Sequence, residues 1–331
     1  MRGETMRLGK VFGVVAVLLA SLLFGQPLSL AADDFPSRPI TLINPKPPGG
    51  SLDAVSRLFA VSAQKFLGQP VVVVNKTGGS GMIGAAAVAT AKPDGYSLLV
   101  GHTDLSCVVE YDLAEGRKPK VTKDQFISLG ALTLSPPLII VAADSPWNSV
   151  SDLAKACKGK SEKCSFSSAG PNTMGHLPSE FLVRALGMDA IHVPYKGGGP
   201  AITAVIGKHV EFSSHYPSAV IPLYAGKKVK VLAVQGTKRL KQFPDIPTTG
   251  ELGIKNAEFY GWIGFLAPAG TPDHVVKKLR DVLPQVAKDK TFIDAIETLG
   301  DEVHYMSAQE LDAYWLDESK RFATLYKNMK K

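Results

Sequence analysis

Beyond its first thirty residues the 331-residue chain has no apolar run both long and charge-free enough to cross a bilayer, which sets aside a multi-span helical membrane protein. It also lacks any run of five like charges. The densest cluster is Lys227-Lys228 with Lys230, and arginines interleaved with base-stacking aromatics are missing. That balance describes a soluble basic surface with weak attraction for anions, and it excludes a nucleic-acid footprint. His102, His176, His192, His209 and His215 show no His-Glu-x-x-His or related spacing, so a metal site is not expected. Gly-x-Ser-x-Gly is absent too, since Gly79-Ser80-Gly81 sets glycines beside a serine without that spacing, and a hydrolase is not expected. No internal repeat or low-complexity tract interrupts the chain.

Cysteine is scarce. Of the three, Cys157 and Cys164 flank the short loop Lys158–Lys163 and could close into a bridge in an oxidising compartment. Two free thiols are the alternative, and a Cys-x6-Cys pair without a second pair does not make a zinc site. The disulfide is the expectation, with Cys107 left over and buried behind a strand.

What is present begins with a leader. Arg2, Arg7 and Lys10 precede the apolar stretch Val11–Phe24, and Ser29-Leu30-Ala31 offers the small residues a signal peptidase reads. The two arginines are not adjacent, so a twin-arginine signal is not evident. Residues 1–31 are therefore read as a cleaved export signal, and the mature chain as periplasmic. The whole chain carries +7, of which the leader holds +2, leaving about +5.

The remaining stretch alternates β-branched runs with helical spacing. Strands are predicted at 40–43, 71–74, 97–100, 138–142, 165–168, 191–193, 210–213, 229–234 and 261–267. Helices are predicted at 52–67, 82–91, 150–158, 177–185, 201–207, 218–225, 272–287, 291–299 and 308–328. This alternation implies an α/β protein with parallel sheets covered on both faces. Crossings near 129–142 and 257–265 suggest a first domain built from residues 33–137 plus 256–331, with 138–255 inserted as a second.

Glycine-rich corners then recur after strands. Pro47-Pro48-Gly49-Gly50-Ser51-Leu52-Asp53 stops the first strand and opens a helix, with Ser51 read as its N-cap. Glycines there permit close backbone approach, and the helix end carries partial positive charge, so the corner suits a carboxylate or a plain tight turn equally well. Lys76–Gly81, Ser168–Thr173 and Lys196–Pro200 repeat the device, two corners in each half. Ligands of open α/β sheets sit at the carboxyl ends of strands, so facing corners would make a cleft for a small anion. A rival reading takes Gly79–Gly84 as a Gly-x-Gly-x-x-Gly dinucleotide loop with Asp104 as its acid, giving an exported NAD(P)-binding oxidoreductase. It leaves the other corners unexplained, and its first glycine comes late after the strand.

Taken together, "FPSRPITLINPKPPGGSLDAVSRLFA", "GQPVVVVNKTGGSGMIGAAAVATAKPDGYSLLVG", "SFSSAGPNTMGHL", "HVPYKGGGPAITAVIGKHVEF", "PDIPTTGELG" and "WIGFLAPAGTP" resemble the substrate-binding proteins of tripartite tricarboxylate transporters, the Bug-type receptors. The likeness runs from Phe35 to the C-terminus. It implies a type II periplasmic binding protein whose two α/β domains, joined by crossing strands, close on a ligand. It further implies a monomeric receptor with no enzymatic activity and no cofactor, delivering a small organic anion to membrane permease subunits. Matching motifs carry ligand contacts to Pro48, Gly49, Gly50 and Ser51 and to the strand-end pair His102 and Thr103, while Gly79 and Ser80 are candidate contacts as part of the Lys76–Gly81 corner. In the second domain they carry contacts to Ser168, Ala169, Gly170, Thr173 and His176, and to Tyr195, Lys196, Gly197 and Gly198.

Several positions depart from the family pattern. Lys46 stands where an aromatic or apolar residue is usual. Turned inward it would add a point charge for a second acidic group; turned outward it would only be solvated. Ser214 and His215 replace an acidic or small position, which suits a hydroxyl or carboxylate better than an ammonium group. Asp104 would either repel anions or pair with Lys46. The Cys157–Cys164 loop is not general in the family.

Overall fold

A computed structural model of the chain describes residues 35–159, 164–255 and 257–329. The expected leader over residues 1–31 lies outside the described residues. From the N-terminal side the elements are β1 (Ile40–Asn44), α1 (Ser51–Leu67), β2 (Val71–Asn75), a 3-10 turn at Gly79–Gly81, α2 (Met82–Ala89) and β3 (Ser97–His102). Next come α3 (Asp104–Ala114), a 3-10 turn at Lys123–Gln125, β4 (Phe126–Ser135), β5 (Leu138–Ala142), α4 (Val150–Ala156) and β6 (Ser165–Ser168). Then follow α5 (Leu177–Leu186), β7 (Ile191–Pro194), α6 (Gly198–Ile206), β8 (Phe212–His215), α7 (Pro217–Ala225) and β9 (Val229–Val234). The chain closes with β10 (Gly261–Pro268), α8 (Asp273–Lys288), α9 (Lys290–Thr298), β11 (Val303–Ser307) and α10 (Ala308–Met329).

Local sequence accounts for most of these. In α1 the buried residues Leu52, Val55, Phe59, Ala63 and Leu67 fall three or four apart, forming one apolar stripe. Gly68 ends the helix in the left-handed region at φ 68°, its N–H bonded to the Gln64 carbonyl. The stripe meets the first sheet, where the rings of Phe59 and Phe265 stack with centroids 3.7 Å apart.

The strands form two sheets. One has the order β11-β4-β10-β3-β1-β2 and the other β7-β6-β8-β5-β9. Both are mixed, which corrects the expectation of parallel sheets. Strand β1 runs parallel to β2 and β3, while β10 is antiparallel to β3 and β4. In the second sheet β6 is parallel to β7 and β8, and β5 is antiparallel to β8 and β9. Strands β5 and β10, which follow the two crossings between sheets, run against their neighbours, and so does β11 beside β4 at the edge of the first sheet.

Three elements were not predicted: β4, β11 and α3. Most of β4 lies in the stretch 129–142, whose Ser135-Pro136-Pro137 reads as a crossing, and Gly130 falls within the strand. That glycine is at φ +142°, and a Cβ there would lie 2.8 Å from the Met306 carbonyl oxygen, so β11 can pass close by. Helix α3 buries only Leu105, Ser106 and Cys107 beyond its first residue, too short a stripe to show in the sequence. Cys107 is buried and unbridged, in this helix and not behind a strand. In the second sheet's core, Cys157 and Cys164 are bonded to each other, with Cα atoms 5.5 Å apart.

Between the sheets the chain crosses at Pro136-Pro137 and returns through residues 235–260. The crossings are zipped together: Gln235 N–H donates to the Pro137 carbonyl at 2.8 Å, and Phe259 N–H to the Gln235 carbonyl at 2.8 Å. Tyr260 hydroxyl accepts from Thr237 N–H at 2.7 Å.

Candidate functional site

The first corner is built around a buried carboxylate. Asp53 Oδ2 accepts the Gly49 N–H at 3.1 Å, and Oδ1 accepts from the side chains of Asn75 at 2.9 Å and Asn44 at 3.3 Å. Arg57, one turn along α1, donates to both oxygens at 3.0 Å. Burial works to raise the Asp53 pKa, but the hydrogen bonds from Arg57, Asn75 and Gly49 outweigh it and hold the carboxyl below its ordinary value. Gly49 adopts φ +83°, and Gly50 is the N-cap of α1, with no side chain capping the turn. Ser51 is thus the first helical residue and not the N-cap expected for it. A helix whose first N–H groups lack a cap offers them, with the partial positive charge of the helix end, to whatever lies in front.

Facing it across the gap is the N-terminus of α6. Its N-cap Gly197 sits at φ +117°, again without a side-chain cap, and a Cβ there would lie 2.8 Å from Pro47 Cγ. Only glycine lets the two corners approach this closely. Other contacts span the same gap. Ser80 hydroxyl donates to the Pro171 carbonyl at 3.1 Å, and Met174 N–H donates to Asp104 Oδ1 at 2.7 Å. Among these elements lies a cavity of about 100 Å³, enough for several waters or a small organic molecule.

Ten of the expected residues line it: Lys46, Pro48, Gly50, Ser51, His102, Ala169, Thr173, Gly198, Ser214 and His215. Lys46 turns inward. Its ammonium donates to Asp104 Oδ2 at 2.6 Å and to the Ser80 carbonyl at 3.0 Å. Burial pushes the Asp104 carboxyl up, but Lys46, followed by His102, outweighs it and holds the group well below the usual carboxylate range. His102 is 7 % exposed, and its ring nitrogens have no hydrogen-bond partner; its nearest approach to Asp104 is 3.6 Å. Burial lowers its pKa, partly offset by Asp104, and burial alone lowers that of His215 to about 4. At neutral pH both rings are uncharged. Thr173 hydroxyl donates to the Gly170 carbonyl at 2.8 Å, and Ser214 hydroxyl donates to Gln235 Oε1 at 2.7 Å, so these two hydroxyl protons are already engaged.

The other ten do not line the cavity. Gly49 and Gly197 shape the corners behind it. Gly79 is exposed, Ser80 ties the gap shut, and Gly170 is buried in the facing loop at φ +136°. Thr103 is buried, its hydroxyl accepting the Trp262 N–H at 3.0 Å. Ser168 and His176 belong to a packed core. Ser168 hydroxyl lies 2.7 Å from His192 Nε2, and the rings of His176 and His192 stack at 3.9 Å. Tyr195 packs with Ala204, Val205 and Val210, and Lys196 is exposed.

Sequence reasoning missed the apolar wall: Leu52, Met174, Tyr216, Ala219, Trp262 and Ile263. Trp262 and Ile263 lie in the quoted "WIGFLAPAGTP" stretch, and the signal was there in an aromatic at the start of a crossing strand. Trp262 is fixed from behind, its indole N–H donating to Glu318 Oε2 at 3.0 Å. Glu318 also accepts from Ser106 hydroxyl at 2.6 Å, and burial pushes its pKa up to about 8. The Gly79–Gly84 run has a packing account. A Cβ at Gly84 would lie 2.6 Å from the Lys76 carbonyl oxygen and 2.9 Å from Pro45, so the glycine seats α2 against the first corner.

Two mixed sheets joined by paired crossings, with helix N-termini from each side meeting at one cavity, define a periplasmic binding protein fold. The model of the tripartite tricarboxylate transporter family receptor matches residues 55–330, and the chain belongs to that family of solute-binding receptors. The structure of the periplasmic binding protein BugD is similar at 34% identity and a TM-score of 0.82, over 89% of this chain and 98% of that one. MatC from Rhodopseudomonas palustris, solved with bound malate, is 28% identical with a TM-score of 0.82, over 88% of this chain and 100% of its own. Rpa4515 of R. palustris, solved with adipate, is 26% identical with a TM-score of 0.83, over 88% and 97%.

Proposed function

We propose that this chain is an exported receptor that captures a small organic carboxylate between two lobes and delivers it to the permease subunits of a tripartite transporter. The observation that carries the reading is the pair of uncapped helix N-termini, α1 at Gly50 and α6 at Gly197, bordering one cavity from opposite sides. Each presents free N–H groups and roughly half a positive charge to an anion. Charge-assisted hydrogen bonds are worth roughly 1.5–3 kcal/mol each, so three approach the roughly 8 kcal/mol of a micromolar complex. Bound malate and adipate in the family neighbours support a carboxylate as the guest.

Residues 33–137 with 256–331 would move as one lobe and residues 138–255 as the other, hinged where Gln235 bonds to Pro137 and Phe259. Opening breaks the Ser80–Pro171 and Asp104–Met174 contacts, and a guest spanning both N-termini favours their return. Thermal-shift screening of the leaderless protein against organic acids tests the reading. Carboxylates are expected to raise Tm in a dose-dependent way, while stabilisation by NADH without any response to carboxylates would support the oxidoreductase instead.

A further inference from the structure

The proposed carboxylate site has a charge arrangement that narrows its guest. Among the described residues Lys46 is the one lysine or arginine lining the cavity, and Asp104 the one carboxylate. They are bonded to each other at 2.6 Å with side chains only 14% and 7% exposed. His102 and His215 are uncharged at neutral pH, because burial lowers the pKa of each. The side chains around the cavity therefore sum to no charge, and the helix N-termini of α1 and α6 are what an anion meets. Lys46 cannot turn to a second carboxylate without taking from buried Asp104 its one cationic partner and leaving it the Met174 N–H, which is disfavoured.

The same cavity is also lined by Leu52, Met174, Tyr216, Ala219, Trp262 and Ile263. A second carboxylate turned toward them would meet no cation and only neutral donors, too few to replace its hydration. An aromatic ring would bury its faces there, and such rings carry large apolar area on a rigid frame. His102 adds a sign of a ligand, since its ring is buried at the cavity and neither nitrogen has a hydrogen-bond partner within 3.5 Å, Asp104 Oδ2 standing 3.6 Å from Nε2. A polar substituent on the ring would satisfy one of them.

Resting on the reading of the cleft as a carboxylate site, we infer that its guest class is an aromatic monocarboxylate of the benzoate type, and that the Lys46–Asp104 pair acts as the filter against dicarboxylates. Isothermal titration calorimetry of the leaderless chain with benzoate, malate, adipate and citrate tests this, alongside Asp104→Asn and Lys46→Met. In the wild type, benzoate is expected to bind at least tenfold more tightly than malate or adipate. Asp104→Asn frees the Lys46 charge, so the affinity ratio of malate to benzoate should rise at least tenfold. Lys46→Met leaves Asp104 unpaired, and the same ratio should fall. Opposite movement of one ratio is something a general loss of folding does not produce. Malate or adipate binding as tightly as benzoate in the wild type, or a ratio that moves the same way in both variants, overturns the inference and leaves the carboxylate site standing. Failure of all four acids to bind overturns the carboxylate reading itself.

Discussion

Asp53 reads in the sequence as an ordinary acidic residue in a first helical turn, yet its two oxygens gather Gly49, Asn44, Asn75 and Arg57 behind the first glycine corner. Replacing it with alanine strands several buried donors, each worth about 1–3 kcal/mol. Asp53→Ala is therefore expected to lower stability by about 2–4 kcal/mol and to weaken ligand binding at least tenfold, measured by denaturant unfolding and calorimetry. Gly49, at φ +83°, is open around its Cβ position, so backbone conformation and not crowding selects glycine. Valine is strongly disfavoured in that region and asparagine tolerates it. Gly49→Val should cost ligand affinity at least tenfold and Gly49→Asn only a few-fold; equal losses would remove the conformational explanation. The glycine corners were legible in the sequence because their backbone shape, with Gly49, Gly79, Gly170 and Gly197 all at positive φ, calls for glycine itself. The apolar wall was not, because Leu52, Met174 and Trp262 look like core residues until the fold exposes them to a shared cavity. Lys46 and Asp104 were each noticed, but only the structure decides that they pair.

Among the elements, the loop from Ser168 to His176 is held by a stack of imidazoles. His176 accepts the Asn172 N–H at 3.1 Å and lies against His192, and burial lowers its pKa to about 3. A histidine with a depressed folded pKa binds protons more readily in the unfolded chain. Its contribution to stability is complete above the unfolded value near 6.5 and is lost as pH falls toward the folded value. Tm should therefore decline from pH 6.5 to 4. His176→Phe keeps a ring against His192 and takes up no proton, so its Tm should decline less; an identical decline would remove the stack from the account. Glu318, raised to about 8 by burial, works the other way. Its proton is held in the fold and released in the unfolded chain, so its contribution is complete below about pH 4.5 and fades as pH rises toward 8. Glu318→Gln should flatten the high-pH side of the same profile. Nine predicted helices matched observed ones within a few residues, most through amphipathic spacing as in α1 and α8. Helices α2 and α7 are apolar nearly all round and were legible from the strands and turns that bound them. Helix α3 and strands β4 and β11 were missed because their identity depends on neighbours: α3 on α10, where Ser106 meets Glu318, and β4 on the passage of β11 beside Gly130.

For the whole molecule, alternation of strand and helix announced α/β architecture, but the parallel sheets it implied are mixed in the structure. The reversal at β5 and β10 follows from long-range crossings, which local spacing does not encode. In the structure the gap is bridged by Ser80–Pro171 and Asp104–Met174, and by the close approach of Gly197 to Pro47. These contacts describe a closed arrangement. Removing one should favour opening, so Ser80→Ala is expected to enlarge the radius of gyration of the ligand-free protein in small-angle scattering, with a saturating carboxylate reversing the change. A crystal structure of the complex with the tightest-binding acid from the titration panel is the most direct measurement. It should place carboxylate oxygens about 3 Å from backbone nitrogens in the first turns of both α1 and α6. A carboxylate lying against neither helix end, with those corners turned away from the guest, would contradict it.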